Sequence, residues 1–257
     1  MKCTVCESIN TDNIGITPAT DFYDRCNDCG SIFLNDLTKV NKDMYNSDYV
    51  SNLDGNVEYR KRYAGVFFYY KELFYHLLKK KTGRYLEIGF SNPGILYGLK
   101  KAGWDVTGID IANYSQKSLD EFKSRGVNYI QGDVVNTKLK GSFDFIWASH
   151  LVEHLDSVEI RLLLSNMKDL LTDDGVIYLS SPSADLYGTD LSISFLLASC
   201  KPEEHVILYT ADTFAKLASE AGLTRRLSEA YTDPVPGKFQ YQTKLEWRQI
   251  FTKGINE

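Results

Sequence analysis

No apolar run in this 257-residue chain approaches the roughly 20 residues that a membrane-spanning helix needs. The opening Met1-Lys2-Cys3-Thr4-Val5-Cys6 does not have the form of a secretory signal either. Both absences predict a soluble, cytoplasmic protein. Positive charge is also scarce: 29 Lys and Arg stand against 34 Asp and Glu, a net charge of −5. That balance disfavours partners held through a phosphate backbone, where cationic side chains supply most of the affinity. There is no internal repeat and no low-complexity segment. With 43% hydrophobic and 25% charged residues, the composition is that of a globular chain, long enough for one large domain and a small module. The 17 tyrosines and 13 phenylalanines can line a pocket, although large aromatics most often fill a core.

A further absence is more specific. A dinucleotide-binding loop reads G-x-G-x-x-G and cradles a pyrophosphate on a helix N-terminus. Here the loop is Gly89-Phe90-Ser91-Asn92-Pro93-Gly94, with serine at the second glycine position and a proline just before the third. The acid before it, Glu87, would repel a diphosphate and suit a cationic amino-acid portion. The remaining features are those of a strand–turn–helix–strand unit. Tyr85-Leu86-Glu87-Ile88 runs into the Gly89 turn, a helical pattern starts at Gly94, and Trp104–Ile109 ends on Asp110, 23 residues after Glu87. Such a unit places a nucleotide-like ligand at the carboxyl ends of the strands, with the second acid on its ribose. Glycine at 89 lets the backbone approach that ligand closely. An adenosine-containing cofactor is the expectation, against the plainer reading of strand-end acids as solvated caps.

Three later segments continue the pattern. Val127–Asp133 is a short strand ending on an acid, Ser142–His150 a strand leading to a polar turn, and Leu171-Thr-Asp-Asp-Gly175 a helix end and turn before a fifth strand at 175–181. The order of Glu87-x-Gly89, Gly-Ile-Asp110, Gln-Gly-Asp133, His150, Glu153-His154 and Asp-Asp-Gly175 resembles a class I S-adenosylmethionine-dependent methyltransferase over roughly residues 83–232. The resemblance implies an α/β fold, a Rossmann-like seven-stranded sheet with an antiparallel last strand. It also implies cofactor contacts from Glu87, Gly89, Ser91 and Gly94, from Asp110 and Ile111, and from Asp133 and Val134. Glu87 and Gly89 would border the methionine part, Asp110 the ribose and Asp133 the adenine amino group. Carboxylates suit these roles because they accept strong hydrogen bonds from hydroxyls and amines.

Four of the five cysteines fall in the first 29 residues, as Cys3-x-x-Cys6 and Cys26-x-x-Cys29. The 19 residues between the pairs match a closed four-thiolate zinc site, in which the metal stabilises rather than catalyses. Disulfides are the alternative, disfavoured in a reducing compartment. Over residues 1–37 two basic side chains face six acidic ones, so this ribbon should not attract nucleic acid. Cys200 reads as an unremarkable thiol, buried or partly exposed.

Residues 38–82 read as a tyrosine-rich helical linker between the ribbon and a core at 83–257. Val66, Tyr69, Tyr70, Leu73, Leu77 and Leu78 recur at helical spacing, and Lys79-Lys80-Lys81 suits the helix end. Residues 58–84 hold eight basic side chains against Glu58 and Glu72. A solvated helix face explains this. So does a lid in which Tyr49, Arg62 or Tyr63 closes over the cofactor or grips an anionic acceptor, which ribbon-bearing methyltransferases imply.

If a helix begins near residue 150, His150, Glu153 and His154 share one face, and His205 follows in Pro202–His205. Three readings stand. His150 or His205 is a general base; or His150, Glu153, His154 and His205 hold a second divalent metal, resembling small-RNA 2′-O-methyltransferases with His150 in place of an acid; or the group only braces the fold. Residues 183–210 would cover the substrate, a helix at 211–221 would be capped by Thr210 and stopped by Gly222, and strands near 224–231 and 239–247 would finish the sheet. The expected activity is methyl transfer to a hydroxyl of a small polar metabolite, and the resemblance to ribbon-bearing methyltransferases implies a sugar, nucleotide-linked sugar or other surface-polysaccharide precursor. The alternatives are an RNA methyltransferase and a non-catalytic scaffold.

Overall fold

A computed structural model describes residues 1–41, 75, 76, 78–189, 192–234 and 243–254. Most of the expected helix over 66–81, and the lid residues Tyr49, Arg62 and Tyr63, lie outside these residues. The helix end is within them: Lys79 turns left-handed at φ +54° and donates its N–H to the Tyr75 carbonyl at 2.9 Å. Among the described residues, no helix is long and apolar enough to cross a membrane.

The strands are β1 Thr11–Asn13, β2 Tyr23–Cys26, β3 Ile32–Leu34, β4 Arg84–Ile88, β5 Asp105–Asp110, β6 Asn128–Gln131, β7 Phe143–Ser149, β8 Leu171–Pro182, β9 Ile207–Leu208, β10 Leu223–Pro234 and β11 Thr243–Lys253. The helices are α1 Gly94–Lys101, α2 Gln116–Ser124, α3 Ser157–Leu170, α4 Ser192–Ser199 and α5 Ala211–Glu220. A seven-stranded sheet has the order β10-β11-β8-β7-β4-β5-β6, with β4 parallel to β5 and β7, and β10 antiparallel to β11. This is the Rossmann-like seven-stranded sheet expected, with its antiparallel end. Chain order reverses at β4, whose neighbours are β5 and β7, and such a switch point is where open α/β sheets take ligands.

Contacts divide the chain into two compact units. The loop-bearing unit holds residues 43–149, 165–178 and 255–257. Its strands are buried through Tyr85, Leu86, Val106, Ile109, Phe145 and Ile146, the near-continuous apolar pattern of a sheet covered on both faces. The cysteine-bearing unit holds residues 1–42, 150–164 and 179–254. Here β1, β2 and β3 form a small antiparallel sheet that does not end at the ribbon. β9 pairs with β3, Ile32 facing Leu208 and Phe33 facing Ile207. A buried apolar cluster joins Ile14, Tyr23, Ile32 and Leu34 of the ribbon to Leu186, Phe195, Leu196, Cys200 and Leu208 of the segment expected as a cover. That segment is therefore built in, with a helix and a strand of its own. Cys200 is buried there, and desolvation pushes its thiol up to about 12.

Several boundaries differ from expectation. No α-helix starts near 150: residues Val152–His154 form one 3-10 turn, and α3 starts only at Ser157. The reason is local, since His150 is left-handed at φ +53° and the Asp156 carboxylate caps the Val158 and Glu159 N–H groups. β8 begins at Leu171, with Asp173 and Asp174 exposed within it rather than forming a turn. β10 and β11 run longer than expected, at 223–234 and 243–253. α5 fits expectation: Thr210 accepts from the Thr213 N–H at 3.2 Å, and Gly222 is left-handed at φ +84°.

Candidate functional site

In the loop-bearing unit, parallel register aligns three acids. Glu87 lies opposite Gly108 and Asp110 opposite Gln131, so Glu87, Asp110 and Asp133 mark the carboxyl ends of neighbouring strands β4, β5 and β6. Gly89 turns at φ +66°, donating its N–H to the Ile109 carbonyl at 2.9 Å. Ser91, also left-handed at φ +38°, donates its N–H to Asp110 Oδ2 at 2.8 Å, while Asp110 Oδ1 accepts from the Ala112 N–H at 2.9 Å. The second acid thus ties its own loop to the first. Asn92 does what a glycine-rich loop leaves to backbone: its Oδ1 accepts from the Gly94 N–H at 2.9 Å, at the start of α1. The departure at Ser91 is accommodated by these bonds, and Pro93 stands just before α1, its carbonyl accepting from the Tyr97 N–H at 2.9 Å. The Phe90 ring stacks on Tyr114 at 5.4 Å, and a Cβ on Gly108 would meet it at 2.8 Å.

Electrostatics distinguishes the three acids. Glu87 is 4% exposed, and its Oε2 has no hydrogen-bond partner among the described residues. Burial drives its carboxyl well above the usual range; a hydrogen bond from Tyr85 opposes this and the Asp110 charge adds to it. Asp110 is raised as well, again by burial, against its backbone hydrogen bonds. Asp133 is half-buried and turned to its own loop, accepting from the Val135 N–H at 2.9 Å and Asn136 Nδ2 at 2.6 Å. Val134 beside it is buried, while Ile111 is a 49% exposed apolar side chain directly after Asp110. A buried acceptor lacking a donor, two further acids and an exposed apolar side chain suit a ligand with a cationic head, hydroxyls and a flat apolar ring.

In the cysteine-bearing unit, the four N-terminal thiols converge, all four sulfurs lying within 4.8 Å of one another. Cys3 and Cys29 sulfurs are 3.7 Å apart, and those of Cys6 and Cys26 3.6 Å. A tetrahedral ion with 2.3 Å metal–sulfur bonds has an edge of about 3.8 Å, whereas a disulfide needs about 2.05 Å. The cage has the dimensions of a metal site, not of a bridged pair. Its base is anchored by Thr213 Oγ1, donating to the Cys29 carbonyl at 2.6 Å.

The same unit gathers three of the four histidines in the chain, His150, His154 and His205, around the fully buried Glu153. His150 Nδ1 faces Glu153 Oε1 at 3.1 Å and its Nε2 faces Glu246 Oε1 at 2.8 Å. Burial opposes protonation of His150, but the hydrogen bonds to Glu153 and Glu246 outweigh it and raise the imidazole to about 10. Glu153 responds in kind: burial would raise it, yet the His150 bond and charge, then His154 and His205, lower it to about 2. At neutral pH His150 is an imidazolium with both N–H groups committed, so it has no lone pair with which to act as a base. Nor is it among the converging donors, which are Glu153, His154 and His205. Glu246, on β11, escaped the sequence reading, being a lone acid in a mixed strand with nothing local to pair it with residue 150.

Residues 58–227, well over half of the chain, match the model of a methyltransferase domain family. A Bacillus thuringiensis protein described as an uncharacterized methyltransferase is 24% identical over 116 residues, 45% of this chain and 55% of that one. The chain thus spans about half the length of the curated relatives it matches. Among solved structures, a SAM-dependent methyltransferase from Methanosarcina mazei aligns with a TM-score of 0.56 at 16% identity, over 72% of this chain and 98% of that one. A Burkholderia thailandensis 1,6-didemethyltoxoflavin-N1-methyltransferase, solved with its substrate and S-adenosylhomocysteine, aligns with a TM-score of 0.55 at 16% identity, over 72% and 76%. The sheet order is that of a class I methyltransferase fold. The chain belongs to the methyltransferase domain family.

Proposed function

We propose that this chain is an S-adenosylmethionine-dependent methyltransferase that modifies a small polar molecule. The observation that carries the reading is Glu87: a carboxyl buried to 4% exposure with an oxygen lacking a donor, at the end of the strand before the glycine turn. The ammonium group of the cofactor's methionine portion would satisfy that oxygen and restore its charge. Asp110 accepts two backbone bonds and a long one, 3.5 Å, from the Tyr114 hydroxyl, which leaves a lone pair for a ribose hydroxyl. Ile111 would cover one face of the adenine, with Val134 beneath the turn that presents Asp133. The cofactor supplies a methyl already activated by a sulfonium. What the chain adds is orientation of cofactor and acceptor and exclusion of water.

The acceptor is read as a hydroxyl of a sugar, nucleotide-linked sugar or related precursor. An acidic chain with an acidic ribbon supports a small molecule over RNA. The proton released by a hydroxyl would go to a neutral imidazole. His205 is held neutral by burial, which lowers it to about 4 against the pull of Glu153; its Nδ1–H donates to the Ser199 carbonyl at 2.6 Å, so its lone pair is on Nε2. His150 serves as a positioning residue that holds Glu153. Cys3, Cys6, Cys26 and Cys29 would hold a structural zinc.

The test is transfer of labelled methyl from S-adenosylmethionine into a cell extract split into small-metabolite and nucleic-acid fractions. Label in the metabolite fraction is expected. Label confined to nucleic acid would overturn the acceptor class, and label in neither, with no calorimetric binding of the cofactor, would overturn the reading altogether.

A further inference from the structure

The loop before α1 carries a serine where a glycine would turn freely. Ser91 is left-handed at φ +38°, a conformation that its Cβ opposes and that glycine visits about as readily as the right-handed one. Something outside the turn has to hold it there. Asp110 supplies half of the answer, since its Oδ2 accepts from the Ser91 N–H at 2.8 Å. The other half comes from Tyr114, whose hydroxyl donates to the Ser91 carbonyl at 3.0 Å. The N–H and the C=O of one residue belong to successive peptide planes, so pinning both sets φ and ψ together. Two side chains four positions apart, after β5, thus dictate the backbone of a residue before α1.

Tyr114 can do this because its ring is boxed in. It is 8% exposed, stacked on Phe90 at 5.4 Å and met edge-on by Phe122 at 5.2 Å and Tyr129 at 5.3 Å. Phe90 is itself lodged against Gly108 of β5, where a Cβ would meet its ring at 2.8 Å. Tyr129 donates its hydroxyl to the Ala112 carbonyl at 3.2 Å, which ties down the stretch that leads to Tyr114. The Tyr114 hydroxyl also lies 3.5 Å from Asp110 Oδ2, so it touches both the turn and the acid assigned to the ribose. A tyrosine has one proton to give, and the shorter contact takes the larger share.

We propose that Tyr114 is a positioning residue for the cofactor, its hydroxyl holding Ser91 in the left-handed turn that a glycine would adopt unaided. Its role rests on the proposed function, in which this loop receives S-adenosylmethionine. Tyr114 acts through Ser91 and Asp110 and is not itself catalytic. Without the hydroxyl, Ser91 would relax to ordinary φ in part of the population, and apparent affinity falls as the competent fraction falls. Glycine at 91 removes the steric reason to relax, so the hydroxyl should then matter little.

Calorimetric titration of S-adenosylhomocysteine into four versions of the full chain tests this: wild type, Tyr114→Phe, Ser91→Gly and the double variant. Phenylalanine keeps the ring and its stacking and removes only the hydroxyl. Tyr114→Phe should weaken binding about fivefold with serine at 91, and by about twofold or less with glycine there. A tyrosine that only fills the core would give equal losses in both backgrounds. That result, or no loss in either, would overturn the proposal and leave the proposed function standing. A wild-type chain that binds no S-adenosylhomocysteine would overturn the proposed function and the role of Tyr114 with it.

Discussion

Two buried glutamates with opposite electrostatic fates sit in the two units of this molecule. Glu87 is 4% exposed and Glu153 0%, yet the first is driven far above the ordinary carboxylate range and the second lowered to about 2. Depth does not separate them. Glu153 has its cation inside the protein, in His150, whereas Glu87 has beside it the Tyr85 hydroxyl and a second acid, Asp110, neither of them a cation. A buried acid whose compensating charge is built in is part of the framework. One whose compensating charge is missing is a candidate to receive it from a ligand.

The contrast can be attacked in four ways. The largest effect belongs to the framework side: Cys26→Ser should abolish stable metal retention and, with the ribbon sheet continuing into β9, lower the melting temperature by about 10 °C or more. Metal analysis and thermal unfolding check this. Next, His150→Ala strands the Glu153 charge. It should cost about 2–3 kcal/mol in chemical denaturation, below the full penalty of an unpaired buried ion because the ring is 38% exposed and water can take its place.

On the ligand side the sign reverses. Glu87→Gln should raise the stability of the cofactor-free protein by about 1 kcal/mol while weakening cofactor binding tenfold or more. The pH dependence follows from the raised carboxyl: its contribution to stability is complete below the usual value of 4.5 and is lost as pH rises towards the folded-state value. The stabilisation gained by Glu87→Gln should therefore grow as pH rises above 4.5 and vanish near pH 4, as paired melting curves would show. The smallest effect is Ile111→Ala, expected to weaken cofactor binding by about fivefold through lost apolar contact, with stability unchanged because the side chain is 49% exposed.

What could be read in the sequence was whatever is local in the chain. Glu87, Gly89 and Asp110 belong to one strand–turn–helix–strand unit, so their spacing alone put them at neighbouring strand ends. Cys3, Cys6, Cys26 and Cys29 show their pairing in the same way. The misses share a cause in distance or brevity. Glu246 meets His150 across 96 residues, and β9 is two residues long, too short for any periodicity. The helix expected near 150 fails on one backbone angle, φ +53° at His150, which brings its ring to both carboxylates without a helical face. Asn92 and Tyr114, which complete the loop around Ser91 and Asp110, look in the sequence like any loop polar and core aromatic.

The central claim, that Glu87 awaits the cationic amino-acid end of the cofactor, is tested most directly by calorimetry with two ligands and two proteins. S-adenosylhomocysteine carries that end and 5′-methylthioadenosine lacks it. Glu87→Gln is expected to weaken the first by tenfold or more, about 1.4 kcal/mol, and to leave the second within twofold. An equal loss for both ligands, or no loss for either, would contradict the account.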